Sequence, residues 1–315
     1  MKIKLKGYYR VCLRGKDGVV HTDTGWFPNL ITNQGLDQFG SAAFTYNDVD
    51  LCVVSRCAVG TSNTAPTIAD TALNAEIAYA PTTSAGVQVS QFTNTYVAGP
   101  PSYWSSVYTY IFTLGSVVGN IAEVGTGGLL NSSRTTISAF SHALIVDGGG
   151  TPTTISVTSA DQLEVTFELR QYIDTTDTAY SLTISGTGYS GTIRRASVNS
   201  TSGLYIMAPV DMISIGGGLN AEGFGYNGSI GAITTFPSGT QVSLGTLSVG
   251  SYTPGSYTKS FTWTATTTEA NVAGGISALQ IKSNFGNWQL SVSPVITKDN
   301  TKTMTLQFSI SWADR

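Results

Sequence analysis

Two histidines, three cysteines and a thin scatter of carboxylates are all that this sequence offers to acid–base, nucleophilic or metal chemistry. His21 follows Val19-Val20 in a strand-like run, and His142 stands in Ser138-Ala139-Phe140-Ser141-His142-Ala143. Neither has a neighbour that suggests a catalytic relay, so both read as residues on a strand face or at the surface. Cys52 and Cys57 lie further apart than the two-residue gap of a zinc knuckle, and Cys12 completes no second pair. The three thiols read as small buried hydrophobes.

Gly186-Thr187-Gly188-Tyr189-Ser190-Gly191 fits the G-x-G-x-x-G spacing that lets a backbone approach a pyrophosphate at a helix start. Here the following Thr192-Ile193-Arg194-Arg195 reads as strand, which predicts a turn between two strands instead. Asp147-Gly148-Gly149-Gly150-Thr151-Pro152 is a turn signal of the same kind. Sugar hydrolysis needs two carboxylates facing one cleft. Asp147, Asp161, Glu164 and Glu168 are the candidates, but Glu164 and Glu168 fall on the polar face of a single strand. Asn47-Asp48-Val49-Asp50 and Asp174-Thr175-Thr176-Asp177 gather oxygen ligands without the fuller set of a calcium loop, and read as solvated loops. We therefore assign no catalytic, cofactor-binding or metal-ligating residue, and expect no enzyme. Pro100-Pro101-Ser102-Tyr103-Trp104-Ser105-Ser106-Val107-Tyr108 reads as a strand entry held by packed aromatics, with a sugar-stacking surface as the other reading.

The elements that carry these residues announce themselves by alternation. Leu163-Glu164-Val165-Thr166-Phe167-Glu168-Leu169-Arg170 and Met304-Thr305-Leu306-Gln307-Phe308-Ser309-Ile310-Ser311-Trp312 each place apolar residues on one face. Phe167 and Phe308 are therefore expected in a dry core. Asp17-Gly18 predicts a hairpin between Ile3–Leu13 and Val19–Phe27. Further strands are predicted over 51–59, 87–97, 103–114, 137–146, 180–184, 191–198, 257–265, 276–281 and 288–295. Two short helices are predicted, near Gln34–Phe44 and near Asp70–Tyr79, the second capped by Asp70.

Of 315 residues, 11% are charged, and Ser, Thr and Gly fill about a third. A disordered chain and a helical bundle are both disfavoured. The 16 basic residues are scattered against 19 acidic ones for a net charge of -3, which argues against nucleic acid as a partner. No apolar run reaches the roughly 18 residues of a membrane span, and the opening Met1-Lys2-Ile3-Lys4-Leu5-Lys6 alternates, unlike a signal peptide.

Three collinear matches suggest an internal duplication. Strand 163–170 with its lead-in is laid against 303–312, 107–124 against 257–279, and 30–40 against 212–225. The fold class expected is mainly β, with two tandem antiparallel β-sandwich-type domains over 1–175 and 176–315, the second a divergent repeat of the first.

Gly25-Trp26-Phe27-Pro28-Asn29-Leu30-Ile31-Thr32-Asn33-Gln34-Gly35-Leu36-Asp37 resembles the opening module of structural proteins from tailed bacteriophages. Ala58–Pro66, Asp70–Leu73 and Ser141–Ile155 agree with it, and the likeness covers roughly residues 20 to 173. The resemblance implies a non-enzymatic tail component: a fibre, a baseplate protein or a fibre-to-tail adaptor. It would be made in the host cytoplasm, reside in the virion tail, and work as a trimer or hexamer with other tail proteins. The alternative is a receptor-binding tail protein that contacts host surface glycan or pilus. No cofactor, nucleic acid or membrane insertion is expected.

Overall fold

The computed structural model describes residues 1–40, 54–81, 83–84, 87–88, 90–128, 137–184, 186–200, 209 and 221–315. Up to residue 175 the strands are β1 (Lys2–Gly15), β2 (Val20–Asp23), β3 (Phe27–Pro28), β4 (Leu30–Ile31), β5 (Arg56–Gly60), β6 (Glu76–Pro81), β7 (Thr83–Ser84), β8 (Val87–Gln88), β9 (Ser90–Val97), β10 (Tyr103–Ile111), β11 (Gly119–Ile121), β12 (Glu123–Gly128), β13 (Ser138–Leu144), β14 (Ile155–Val157) and β15 (Asp161–Tyr172). Beyond it come β16 (Thr178–Ile184), β17 (Thr187–Arg195), β18 (Ala221–Tyr226), β19 (Gln241–Ser243), β20 (Thr246–Val249), β21 (Thr258–Ala265), β22 (Ile276–Ser283), β23 (Gly286–Ile296) and β24 (Met304–Asp314). Helix α1 (Asn33–Gly40) follows β4, with the Thr32 hydroxyl accepting the Gly35 amide at 2.8 Å as its N-cap. The fold is mainly β and of sandwich type.

A nine-stranded sheet forms the common layer, in the order β20-β21-β24-β1-β15-β10-β9, with β2 and β3 also on β1. Its inner face meets a sheet ordered β4-β13-β12-β5-β6 and a sheet ordered β16-β17-β23-β22-β18-β19. The Tyr9 hydroxyl on β1 bonds Thr126 and Ser141 across the first of these layers, at 3.1 and 2.6 Å. Across the second, the Trp263 indole fills the space that a Cβ on Gly223 would need. Strands on both sides of residue 175 thus share one sheet, because β24 pairs β1 in parallel. One apolar cluster runs through both parts, from Ile3, Phe167 and Phe140 to Phe285, Trp263 and Trp312.

Pairing order repeats along the chain. β4, β13, β12, β5 and β6 are neighbours in that order, as are β17, β23, β22, β18 and β19, and every pair is antiparallel. On the common sheet β15-β10-β9 and β24-β21-β20 leave opposite sides of β1, again with antiparallel neighbours. β15 runs antiparallel to β1 and β24 parallel to it. That is the relation a two-fold axis normal to the sheet produces, since it reverses strand direction and keeps the buried face. Tyr108 opposite Phe167 corresponds to Phe261 opposite Phe308, three residues from the register expected for β10 and β21. The expected match of 30–40 to 212–225 does not follow this order: β4 corresponds to β17, and residues 212–220 lie outside the described residues.

The predicted hairpin is present, with Gly18 at φ +78° in its turn. So is the turn in the G-x-G-x-x-G stretch, where Ile184 pairs Thr187 across Gly186 at φ +82°. Of the helix expected over 34–44, α1 supplies the part to Gly40, and 41–44 lie outside the described residues. The helix expected over Asp70–Tyr79 is corrected. Asp70 ends a turn by accepting the Thr67 amide and hydroxyl, and Glu76–Pro81 is strand β6, paired with β5. Cross-strand hydrogen bonds outweigh the weak helical spacing of Leu73 and Ile77.

Candidate functional site

β13 is the strand that builds the site. Ser138 to Ala143 are all buried, so this strand is dry on both faces and any polar side chain on it needs an internal partner. His142 lies there with no exposed surface. Its Nδ1 is 2.7 Å from Asp70 Oδ2 and its Nε2 is 2.8 Å from Glu123 Oε2. Carboxylates only accept, so both nitrogens donate and the ring is an imidazolium clamped between two anions.

β12 and the loop between β5 and β6 supply the carboxylates. Gly125 stands opposite His142 in the β12–β13 register, which places Glu123 two residues along on the same face. Glu123 is fully buried and also accepts the amides of Ser62, Asn74 and Ala75 at 3.4, 3.0 and 2.6 Å. The loop 61–75 is therefore drawn together at its two ends by one carboxylate. Its middle is pinned as well: Ile68 carbonyl accepts the Asn33 amide at 2.7 Å, and Thr71 carbonyl accepts the Ala139 amide at 3.0 Å. Gly60 and Gly125 are required here, since a Cβ on either would strike the Glu123 or Leu73 side chain or nearby backbone.

Burial is the largest influence on each of the three ionisable groups and opposes its charge. The hydrogen bonds prevail. Those that His142 donates to Glu123 and Asp70 hold it above its ordinary 6.5, and those that Asp70 accepts from Thr67 and His142 hold it below 3.8. Glu123 lies below 4.5 through His142 and the Ala75 and Asn74 amides. Glu76 goes the other way: burial, helped by the Glu123 charge, pushes it up to about 7 despite its bond to the Ile137 amide.

These shifts fix the sign of a pH dependence. The raised His142 stabilises the fold fully below about 6.5 and loses that contribution as pH climbs through its folded value. Glu76 acts in the same direction: kept protonated in the fold, it contributes fully below 4.5 and loses this as pH climbs to about 7. Asp70 and Glu123 contribute above their unfolded values of 3.8 and 4.5 and lose this as pH falls. Calorimetry is expected to give the highest melting temperature near about pH 4.5 to 5, with a decline by about pH 8. A melting temperature that rises from about pH 5 to 8 contradicts the assigned charges.

With both ring nitrogens engaged by carboxylates, the arrangement ties the 61–75 loop to β12 and β13. What it holds is a surface: Thr64, Ala65 and Ile68 are exposed, Ile68 by 46%. Among the described residues, no group of three or more His, Cys, Asp or Glu is placed to hold a metal ion.

The other candidates are dispersed. His21 is exposed, 3.9 Å from Asp17. Asp147 accepts the amides of Gly149 and Thr151 in its turn, and Asp161 caps the Thr158 turn. Glu164 pairs Arg14 at 3.1 Å. Glu168 is corrected from solvent face to buried: it accepts the Ser105 hydroxyl and a bidentate Arg170, whose guanidinium lies over Tyr8 and Tyr103. Cys12 and Cys57 are buried free thiols; Cys52 and the 47–50 carboxylates lie outside the described residues. Trp104 is buried, with its indole donating to the Val198 carbonyl, so the 100–108 cluster packs as strand entry. Comparison with family models, curated proteins and solved structures finds no match to this chain.

Proposed function

We propose that this chain is a non-enzymatic structural component of a phage tail, a fibre, baseplate or fibre-to-tail adaptor protein, that works by oligomeric assembly. The observation that carries the reading is the repeat of strand order about the common sheet. An internal duplication of one β unit accounts for eight strand pairs kept in chain order, and fusing the two units through β1 and β24 makes a rigid building block. Three copies of such a block offer six similar faces. The clamp at His142 suits the same role, because an assembly surface gains affinity when its loops are ordered before contact. The likeness of residues 20 to 173 to tail modules points the same way.

Light scattering coupled to size exclusion on the purified chain is the test. A trimer or hexamer is expected. A chain that stays monomeric at high concentration overturns self-assembly as its mode of action.

A further inference from the structure

Strand alternation sends two adjacent arginines of β17 to opposite fates. Arg194 is fully committed: its Nε and Nη2 bond Asp177 at 2.8 and 2.6 Å, and its Nη1 donates to the Gly231 carbonyl at 2.9 Å. Arg195 points inward and is only 3% exposed. Its guanidinium lies 4.3 Å from the Trp288 ring centroid. Among the described residues, Nη2 reaches the Lys2 carbonyl at 3.4 Å and Nη1 meets no acceptor. Among the described residues, no carboxylate comes within ion-pair distance of it. A buried cation without a counter-ion is costly, and folds seldom keep one idle.

Arg195 lines a cavity of about 240 Å³, together with Lys2, Thr176, Thr178 and Trp288. Asp174 also lines it, but accepts the Thr176 amide at 2.9 Å and makes no bond to Arg195. Burial lowers the Arg195 pKa to about 10, with Asp174 only partly opposing, as expected where a positive charge lacks a partner.

We propose that this cavity binds an oxyanion, the carboxylate or phosphate of an acidic saccharide, which pairs with the Arg195 guanidinium and accepts hydrogen bonds from Thr176 and Thr178. A guanidinium fork matches either oxyanion. The body of the ligand has a place too. A second cavity of about 510 Å³ shares Lys2 and Asp174 with the first and extends past Lys6, Tyr172 and Lys4, the last paired with Asp314 at 3.4 Å, which offers cations and an aromatic ring to a sugar. This site is independent of the assembly role.

Calorimetric titration of the full chain with inorganic phosphate, glucuronate and glucose tests the assignment. One or both anions are expected to bind at one site per chain, and glucose to bind at least tenfold more weakly. Phosphate alone assigns a phosphorylated sugar, and glucuronate alone a uronate. Arg195→Gln is expected to weaken anion binding at least tenfold. Lys2→Ala, at an exposed position, keeps the test open if the arginine variant does not fold; it is expected to weaken binding several-fold with an unchanged melting temperature. The proposal is overturned if neither anion binds at tens of millimolar, or if both variants bind as tightly as the parent.

Discussion

Replacing His142 with Gln is expected to cost about 3–5 kcal/mol in urea unfolding, because it leaves two carboxylates facing each other without the cation between them. Glu123 has no exposed surface through which water can compensate. Asp70→Asn should cost less, since the Asp70 side chain is 15% exposed and keeps its turn bonds to Thr67. The cost also depends on pH. The imidazolium is the form that the clamp favours, so the gap between the parent and His142→Gln should be largest below about pH 6.5 and shrink as pH climbs through the raised pKa of His142. Amide exchange locates the effect: Ser62, Asn74 and Ala75 should exchange faster in the variant, while the β1–β15 ladder stays protected. A gap independent of pH would show that His142 serves only as a space-filling ring.

How much of this was legible in the sequence depends on how local the cause is. Leu163 to Arg170 and Met304 to Trp312 carry a period of two in their own residues, and both are strands. The clamp is not local. His142 meets Glu123 only once β12 and β13 pair, and meets Asp70 only once a loop 72 residues earlier has been folded back. One signal was available: the run Ser138 to Ala143 lacks polar alternation, as a strand buried on both faces does, and a histidine there must find an internal partner. The helix expected over Asp70–Tyr79 fails for a related reason. Asp70 is a capping residue in both readings, but it caps a turn and then serves His142. Arg195 shows the same limit, since alternation puts it inward while only the assembled fold shows that Nη1 meets no acceptor among the described residues.

Trp312→Ala is expected to cost about 3–5 kcal/mol and to shift a single unfolding transition rather than create a second one. Trp312 is fully buried near the end of β24, where the parts on either side of residue 175 meet. Its indole donates to the Leu36 carbonyl of α1 at 2.8 Å, and its ring packs on Phe285 at 5.2 Å and Tyr252 at 5.7 Å. Removal thus opens a cavity and takes away the indole's hydrogen bond to a helix carbonyl at once. Tyr252 in turn donates to Asp37 at 2.5 Å, so the loss spreads into α1 from a second side. Phe167→Ala, at a fully buried ring 5.2 Å from Tyr9, should cost about as much. Phe308 is only half-buried, and its loss should cost about 1–2 kcal/mol, below the value expected from strand pattern alone. If Trp312→Ala instead melts in two steps, with residues beyond 175 unfolding first, the common sheet does not couple the two parts. The parallel β1–β24 pairing would then be a contact between separately stable units. If one transition moves as a whole, the sheet and the Trp312 cluster make the parts on either side of residue 175 a single cooperative block.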